Sequence, residues 1–163
     1  REITVDTTPP QVGGTFPVAG TVIGPPLRMV DATIHDPGPK SGARASSIDF
    51  RNFHVWVEFM GNEQTPQQPV HGVGFIHEPN DSDPTLPTYN PNDHRPKLLF
   101  EFTDTAGHVV ALPDDGSRDG VYTIHLTAYD RAGNEVTASA GFTYSSTAPS
   151  SGGTGTLTLT LRR

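Results

Sequence analysis

Cysteine is absent from the 163 residues. Disulfides, thiolate nucleophiles and cysteine-ligated zinc are excluded together. Small secreted eukaryotic domains usually carry disulfides, so a cysteine-free exterior domain fits a prokaryotic source better. Long apolar runs are missing too. No stretch approaches the roughly 18 residues that suggest a membrane-spanning helix, so no membrane insertion is expected. Positive charge is scarce: 11 Lys and Arg stand against 18 Asp and Glu, for a net charge of −7. Such a chain does not track a phosphate backbone, which argues against nucleic acid as a partner. It does suit divalent cations. Hydrophobic residues make up only 33%. No signal peptide is visible, so an exported form has lost it or carries it on a longer precursor.

What the chain has instead is 17 Gly and 16 Pro, with abundant Ser and Thr. Both Gly and Pro disrupt helix interiors. No stretch of ten residues shows a 3.6-residue apolar period, whereas a period of two recurs. It appears in Leu27 to His35, with Val30, Ala32 and Ile34 on one face. It is cleanest in Asn52 to Met60, where Phe53, Val55, Val57 and Phe59 oppose His54, Trp56, Glu58 and Met60. It returns in Lys97 to Thr103, Val121 to Tyr129 and Glu135 to Tyr144. Weaker signals predict a broken first strand through Phe16, Val18 and Val22-Ile23, a strand at His71 to His77, and a return strand at His108 to Leu112. Eight to ten strands without a helix predict an all-β fold of two packed antiparallel sheets. The core domain is expected over 11–145, with an insertion at 61–96. An N-terminal strand and Pro-rich linker occupy 1–10. A Ser/Gly-rich linker and C-terminal strand occupy 146–163.

Asp119-Gly120-Val121-Tyr122-Thr123-Ile124, Leu126-Thr127-Ala128-Tyr129-Asp130 and Ala132-Gly133-Asn134 resemble the last hairpin of bacterial immunoglobulin-like (Big or cadherin-like) repeats. Val5-Asp6-Thr7-Thr8-Pro9-Pro10 is similar to their inter-repeat junction. The resemblance implies an immunoglobulin-like sandwich cut from a longer surface or secreted protein. Tyr122 stands where such a fold places a tyrosine corner. Gly120 and Gly133 suit positive φ. Trp56 lies opposite the apolar face of its strand, so it is either on the outer sheet face under the insertion or re-aimed by a bulge.

Alternating strand ends bring Asp6, Asp36, Asp130 and Asn134 to one pole. Oxygen ligands converging from separate loops are what Ca²⁺ requires. Ca²⁺ is therefore the candidate cofactor, and its role would be to stiffen the joint to a preceding domain. The competing reading is that each Asp closes its own turn. Asp114, Asp115 and Asp119 form a second acidic group at the opposite pole, more simply read as a solvated loop. Of the 7 histidines, His71, His77 and His94 allow a zinc site in the insertion, against a plain reading as exposed side chains. Trp56 and Tyr89 are candidate carbohydrate contacts, or a small satellite core under a long loop.

Nothing supports catalysis. There is no G-x-S-x-G elbow and no Gly-rich loop leading from a strand into a helix. Asp114 and Asp115 have no apolar surroundings to raise a carboxyl pKa. The chain is thus expected to be a non-enzymatic structural or adhesive module, extracellular or on the cell surface. Its expected partners are neighbouring domains or subunits. The alternative is a carbohydrate-binding accessory domain of a secreted hydrolase. Glu2 to Val5 and Thr156 to Leu161 are alternating strands set off by linkers. They are fragments of neighbouring repeats, or pair with this domain's own edges, or add to another subunit's sheet to build a filament.

Overall fold

The computed structural model describes residues 6–37, 48–61, 67, 70–77 and 96–149. Among these residues the chain forms eight strands and no helix. They are β1 (Gln11–Phe16), β2 (Val22–Ile23), β3 (Met29–His35), β4 (Ile48–Gly61), β5 (Gly72–His77), β6 (Lys97–Phe102), β7 (Gly120–Asp130) and β8 (Glu135–Tyr144). Two four-stranded sheets result, ordered β1-β3-β6-β5 and β2-β8-β7-β4. All pairings are antiparallel except β2 with β8, which is parallel.

The core follows from the period of two. Val30, Ala32 and Ile34 of β3 are fully buried, and Leu98, Phe100 and Phe102 of β6 face inward beside them. From the second sheet come Val55, Val57 and Phe59 of β4 and Tyr122, Ile124, Leu126 and Ala128 of β7. Phe53, expected with the β4 group, is only half-buried at the edge of the core. Phe59, Tyr122 and Phe142 pack ring against ring across the three strands.

The broken first strand is divided between the sheets. β1 pairs with β3, and after Pro17 the chain crosses so that Val22 and Ile23 pair with Thr143 and Tyr144 of β8. The return strand at 108–112 forms only one bridge, Val109 to Thr103. Its hairpin ends early because Leu112 is drawn into the core, where its N–H donates to the Leu27 carbonyl at 2.8 Å. The Asp104 carboxylate closes the turn by accepting from the Ala106 and His108 amides.

The tyrosine corner is present. The Tyr122 hydroxyl donates to the Arg118 carbonyl at 2.8 Å, and its ring is fully buried. Tyr144 does the same across the sandwich, donating to the Leu112 and Pro113 carbonyls. Gly120 has φ of 152° and lies against Phe59 and the Gly61 backbone, and Gly133 turns the β7–β8 hairpin at φ of 90°.

The expected strands at Glu2 to Val5 and Thr156 to Leu161 lie outside the described residues, as do His94, Tyr89 and most of the insertion.

Candidate functional site

One pole gathers the ends of several elements. β1 begins there at Gln11, paired with His35, the last residue of β3. Ile48, the first residue of β4, pairs with Asp130, the last residue of β7. Asp36 follows β3, and the segment 6–10 arrives at the same place, anchored by the buried Pro10. Asp6, Asp36 and Asp130 therefore meet, although they are far apart in the chain and belong to both sheets. Each offers a carboxylate oxygen, and these oxygens all lie within 4.8 Å of one another. Two oxygens on one Ca²⁺ are at most about 5 Å apart, twice a bond of roughly 2.3–2.6 Å, so the three can share an ion. Among the described residues this is the one group of three His, Asp or Glu side chains so gathered.

Local chemistry holds the Asp130 and Asp6 carboxylates in place. Asp130 is 1% exposed. Its Oδ1 accepts the Asn134 amide at 2.8 Å, and its Oδ2 accepts the Asn134 side-chain nitrogen at 2.7 Å. The hairpin closes beneath it through Asp130 N–H to the Asn134 carbonyl and Gly133 N–H to the Asp130 carbonyl. Each carboxylate oxygen keeps a second lone pair for a cation. Asp6 closes an Asx turn by accepting the Thr8 amide on Oδ1 at 3.0 Å. Turn chemistry and convergence thus coexist: the turns aim the carboxylates.

Asn134, expected as an oxygen ligand, uses its side-chain nitrogen to tie two segments together. Its side-chain nitrogen donates both to Asp130 and to the Asp6 backbone carbonyl, the latter at 3.1 Å. Two acceptors around one amide end fix which end is nitrogen. Asn134 is thus a clamp tying the N-terminal segment to the hairpin through its side-chain nitrogen.

The other candidates disperse. The Ser117 hydroxyl, and after it the Ser117 amide, donate to Asp115 and hold its carboxyl below the usual range. Asp119 accepts the amide and hydroxyl of Ser146. Asp115 thus caps its own loop, Asp119 ties that loop to the segment after β8, and neither they nor Asp114 belong to the gathered carboxylates. His71 and His77 flank β5 at opposite ends, and the zinc reading's third member, His94, lies outside the described residues.

Trp56 is on the outer face of β4 and is 37% exposed. The imidazoles of His54 and His125 stack on its indole at 4.5 and 4.9 Å between ring centroids. His125 is held in turn by Glu58, with Nε2 to Oε2 at 3.2 Å. The imidazoles occupy ring surface that a stacked sugar would need. A shallow cleft of about 560 Å³ adjoins them along the seam of β4 and β5, bordered by Val70, Val73 and Phe100. The outward position of His54 beside Trp56 was legible in the alternation of β4, but the approach of His125 to the same indole required the β4–β7 register.

No family model matches the chain, and no curated protein matches it. Among solved structures it is similar to PcoC from Escherichia coli, a methionine-rich copper resistance protein. The TM-score is 0.51 at 13% identity, covering 83% of this chain and 97% of that one. CopC from Methylosinus trichosporium OB3b gives a TM-score of 0.45 at 9% identity, covering 83% of this chain and 93% of CopC. The SrpA adhesin from Streptococcus sanguinis gives 0.37 at 16% identity, covering 86% of this chain and 59% of the adhesin. The first likeness bears on the sandwich fold, and the other two carry no argument.

Proposed function

We propose that the chain is a non-catalytic structural module of a prokaryotic extracellular or cell-surface protein, whose N-terminal joint is stiffened by a bound divalent cation, Ca²⁺ before others. The convergence of Asp6, Asp36 and Asp130 from three separate segments carries this reading. Without a cation the three charges repel, on the order of 3 kcal/mol per pair at this spacing in an effective dielectric near 20. A divalent ion reverses the sign. It also bonds the segment before β1 to the end of β7, so that a preceding domain is held at a set angle.

The donor type selects the metal. PcoC is described as methionine-rich and concerned with copper. This chain has two methionines, Met29 and Met60, on different sheets, and no cysteine. Carboxylate and carbonyl oxygens favour Ca²⁺, Mg²⁺ or Mn²⁺ over soft copper(I). Ca²⁺ tolerates the irregular geometry of three loops better than Mg²⁺ does.

The test is thermal unfolding of the full chain in EDTA and in millimolar Ca²⁺, Mg²⁺ and Cu²⁺. Ca²⁺ at about a hundredfold over its Kd adds roughly 2.7 kcal/mol of stability. Asp36→Asn removes that gain and, in EDTA, leaves the protein at least as stable as the parent, because it relieves repulsion. An unfolding midpoint equal in EDTA and Ca²⁺ would falsify the cation joint. A response to Cu²⁺ alone replaces it with a copper site.

The carbohydrate-binding accessory reading draws on the cleft beside Trp56. Trp56 is the chain's one tryptophan. Titration with soluble oligosaccharides, followed by its fluorescence, tests it directly, and a saturable change favours that reading.

A further inference from the structure

β8 is covered unevenly along its outer edge. At its C-terminal end the segment 20–23 pairs with it: Gly20 N–H donates to the Gly141 carbonyl, Thr143 N–H to the Thr21 carbonyl and Ser145 N–H to the Ile23 carbonyl. These bonds show that the odd-numbered residues turn their backbone groups away from β7 there. By the strand's period of two, Thr137 and Ser139 aim theirs at the same edge. Below Gly141, among the described residues, no strand pairs with that edge. The inward-facing residues register the gap. On β7 these positions are fully buried, whereas Val136, Ala138 and Ala140 of β8 are only half-buried. Val12 and Phe16 of β1, in the opposite sheet, are half-buried as well. Small, half-buried apolar side chains therefore line this stretch of β8, with Val12 and Phe16 of β1 nearby across the sandwich.

The chain supplies a segment of matching length and pattern. Thr156 to Leu161 reads TLTLTL, with three leucines at alternate positions and no charge. The described chain reaches Pro149 beside β2, close enough that a Cβ on Gly24 would collide with the Ala148 and Pro149 carbonyls. From there the seven peptide steps to Thr156 span up to about 24 Å. That suffices to pass β2 and descend antiparallel to β8.

We propose that the edge of β8 from Val136 to Ala140 is the docking site for the chain's own Thr156–Leu161, laid antiparallel. In this register Leu157, Leu159 and Leu161 stand opposite Ala140, Ala138 and Val136 and fill the space over the small side chains. Thr158 and Thr160 stand opposite Ser139 and Thr137 on the outer face and pair with their backbone groups. A short tether makes pairing within one chain more probable than pairing between chains, because the effective concentration is in the millimolar range. Glu2 to Val5 offers only Ile3 and Val5 and is a poorer fit. This inference is independent of the cation joint.

The absence of native cysteine makes the test clean. Ser139→Cys with Thr158→Cys places two thiols at directly opposed positions, where the Cα separation of about 5.5 Å suits a disulfide. The control is Ser139→Cys with Leu159→Cys, whose thiols point to opposite faces. The expected result is an intrachain disulfide in a monomer, formed at least tenfold faster in the first variant than in the control. Equal rates mean a tail that merely collides with the edge, and overturn the proposal. Disulfide-linked dimers overturn it in favour of a second copy at that edge, which is the filament arrangement. Free thiols throughout overturn it as well. As a second measurement, truncation after Pro149 raises amide hydrogen exchange at Thr137 and Ser139 at least tenfold. Unchanged exchange argues against docking.

Discussion

Tyr122 joins three structural tasks in one side chain. Its ring packs against Phe59 and Phe142, its hydroxyl secures the loop before β7, and its burial pushes the phenol well above its usual pKa. Removing only the hydroxyl, in Tyr122→Phe, leaves the packing and strands the Arg118 carbonyl. The expected cost is about 1–2 kcal/mol, read from the urea midpoint at constant m-value. The raised phenol pKa has a pH consequence. The unfolded chain ionises Tyr122 and Tyr144 near pH 10 while the folded chain resists, since burial is the leading cause of the shift at both. Their contribution is fully present below pH 10 and is lost as pH rises beyond it. Circular dichroism from pH 9 upward should show alkaline unfolding that begins near pH 10 and is shallower in Tyr122→Phe. The sequence pointed to Tyr122 through the D-G-x-Y pattern. The second anchor, Tyr144, has no such local signature, because its acceptors lie on a loop about thirty residues upstream.

At the level of elements, glycines decide how closely strands approach. Gly72 and Gly74 face inward on β5, where a Cβ would run into the Phe100 ring in one case and the Val55 side chain and carbonyl in the other. The bare backbone lets the edge of one sheet close down on β4, the edge of the other. Gly74→Ala forces these edges apart and is expected to cost about 1–3 kcal/mol, as an overpacked core does. Gly107 turns the β6 loop at φ of 86° with nothing within 4 Å of a Cβ. Gly107→Ala meets only the backbone penalty of about 1–2 kcal/mol. Thermal melts of the two variants separate collision from conformation. If Gly74→Ala is as stable as the parent, the close approach of β5 to β4 is not a constraint. Alternation alone revealed β3, β4, β6, β7 and β8. It overstated the return strand at 108–112, which keeps one bridge because Leu112 answers to Leu27, a residue of the other half of the chain.

For the whole molecule, the N-terminal joint is where fold and function meet. Residues 6–10 are tied in by buried Pro10, by the Asn134 clamp on the Asp6 carbonyl and by the shared acidic cluster. Deleting residues 1–10 should therefore lower the unfolding midpoint and abolish the response to Ca²⁺ in the same variant. A truncated chain that still responds to Ca²⁺ would place the cation elsewhere. What the sequence determined by itself was the β-class, the inward face of each main strand, the tyrosine corner and the pole at which the acidic ends collect. The corner follows from the resemblance carried by the D-G-x-Y hairpin, and the rest from local periodicity and from counting strand reversals. Only the tertiary structure decided that three carboxylates come within reach of one ion, that the Asn134 nitrogen clamps the Asp6 carbonyl to the β7–β8 hairpin, and that among the described residues no strand pairs with the first half of the outer edge of β8. Those depend on which strands lie side by side and in what register, and pairing between residues a hundred positions apart leaves no mark on the local pattern of either.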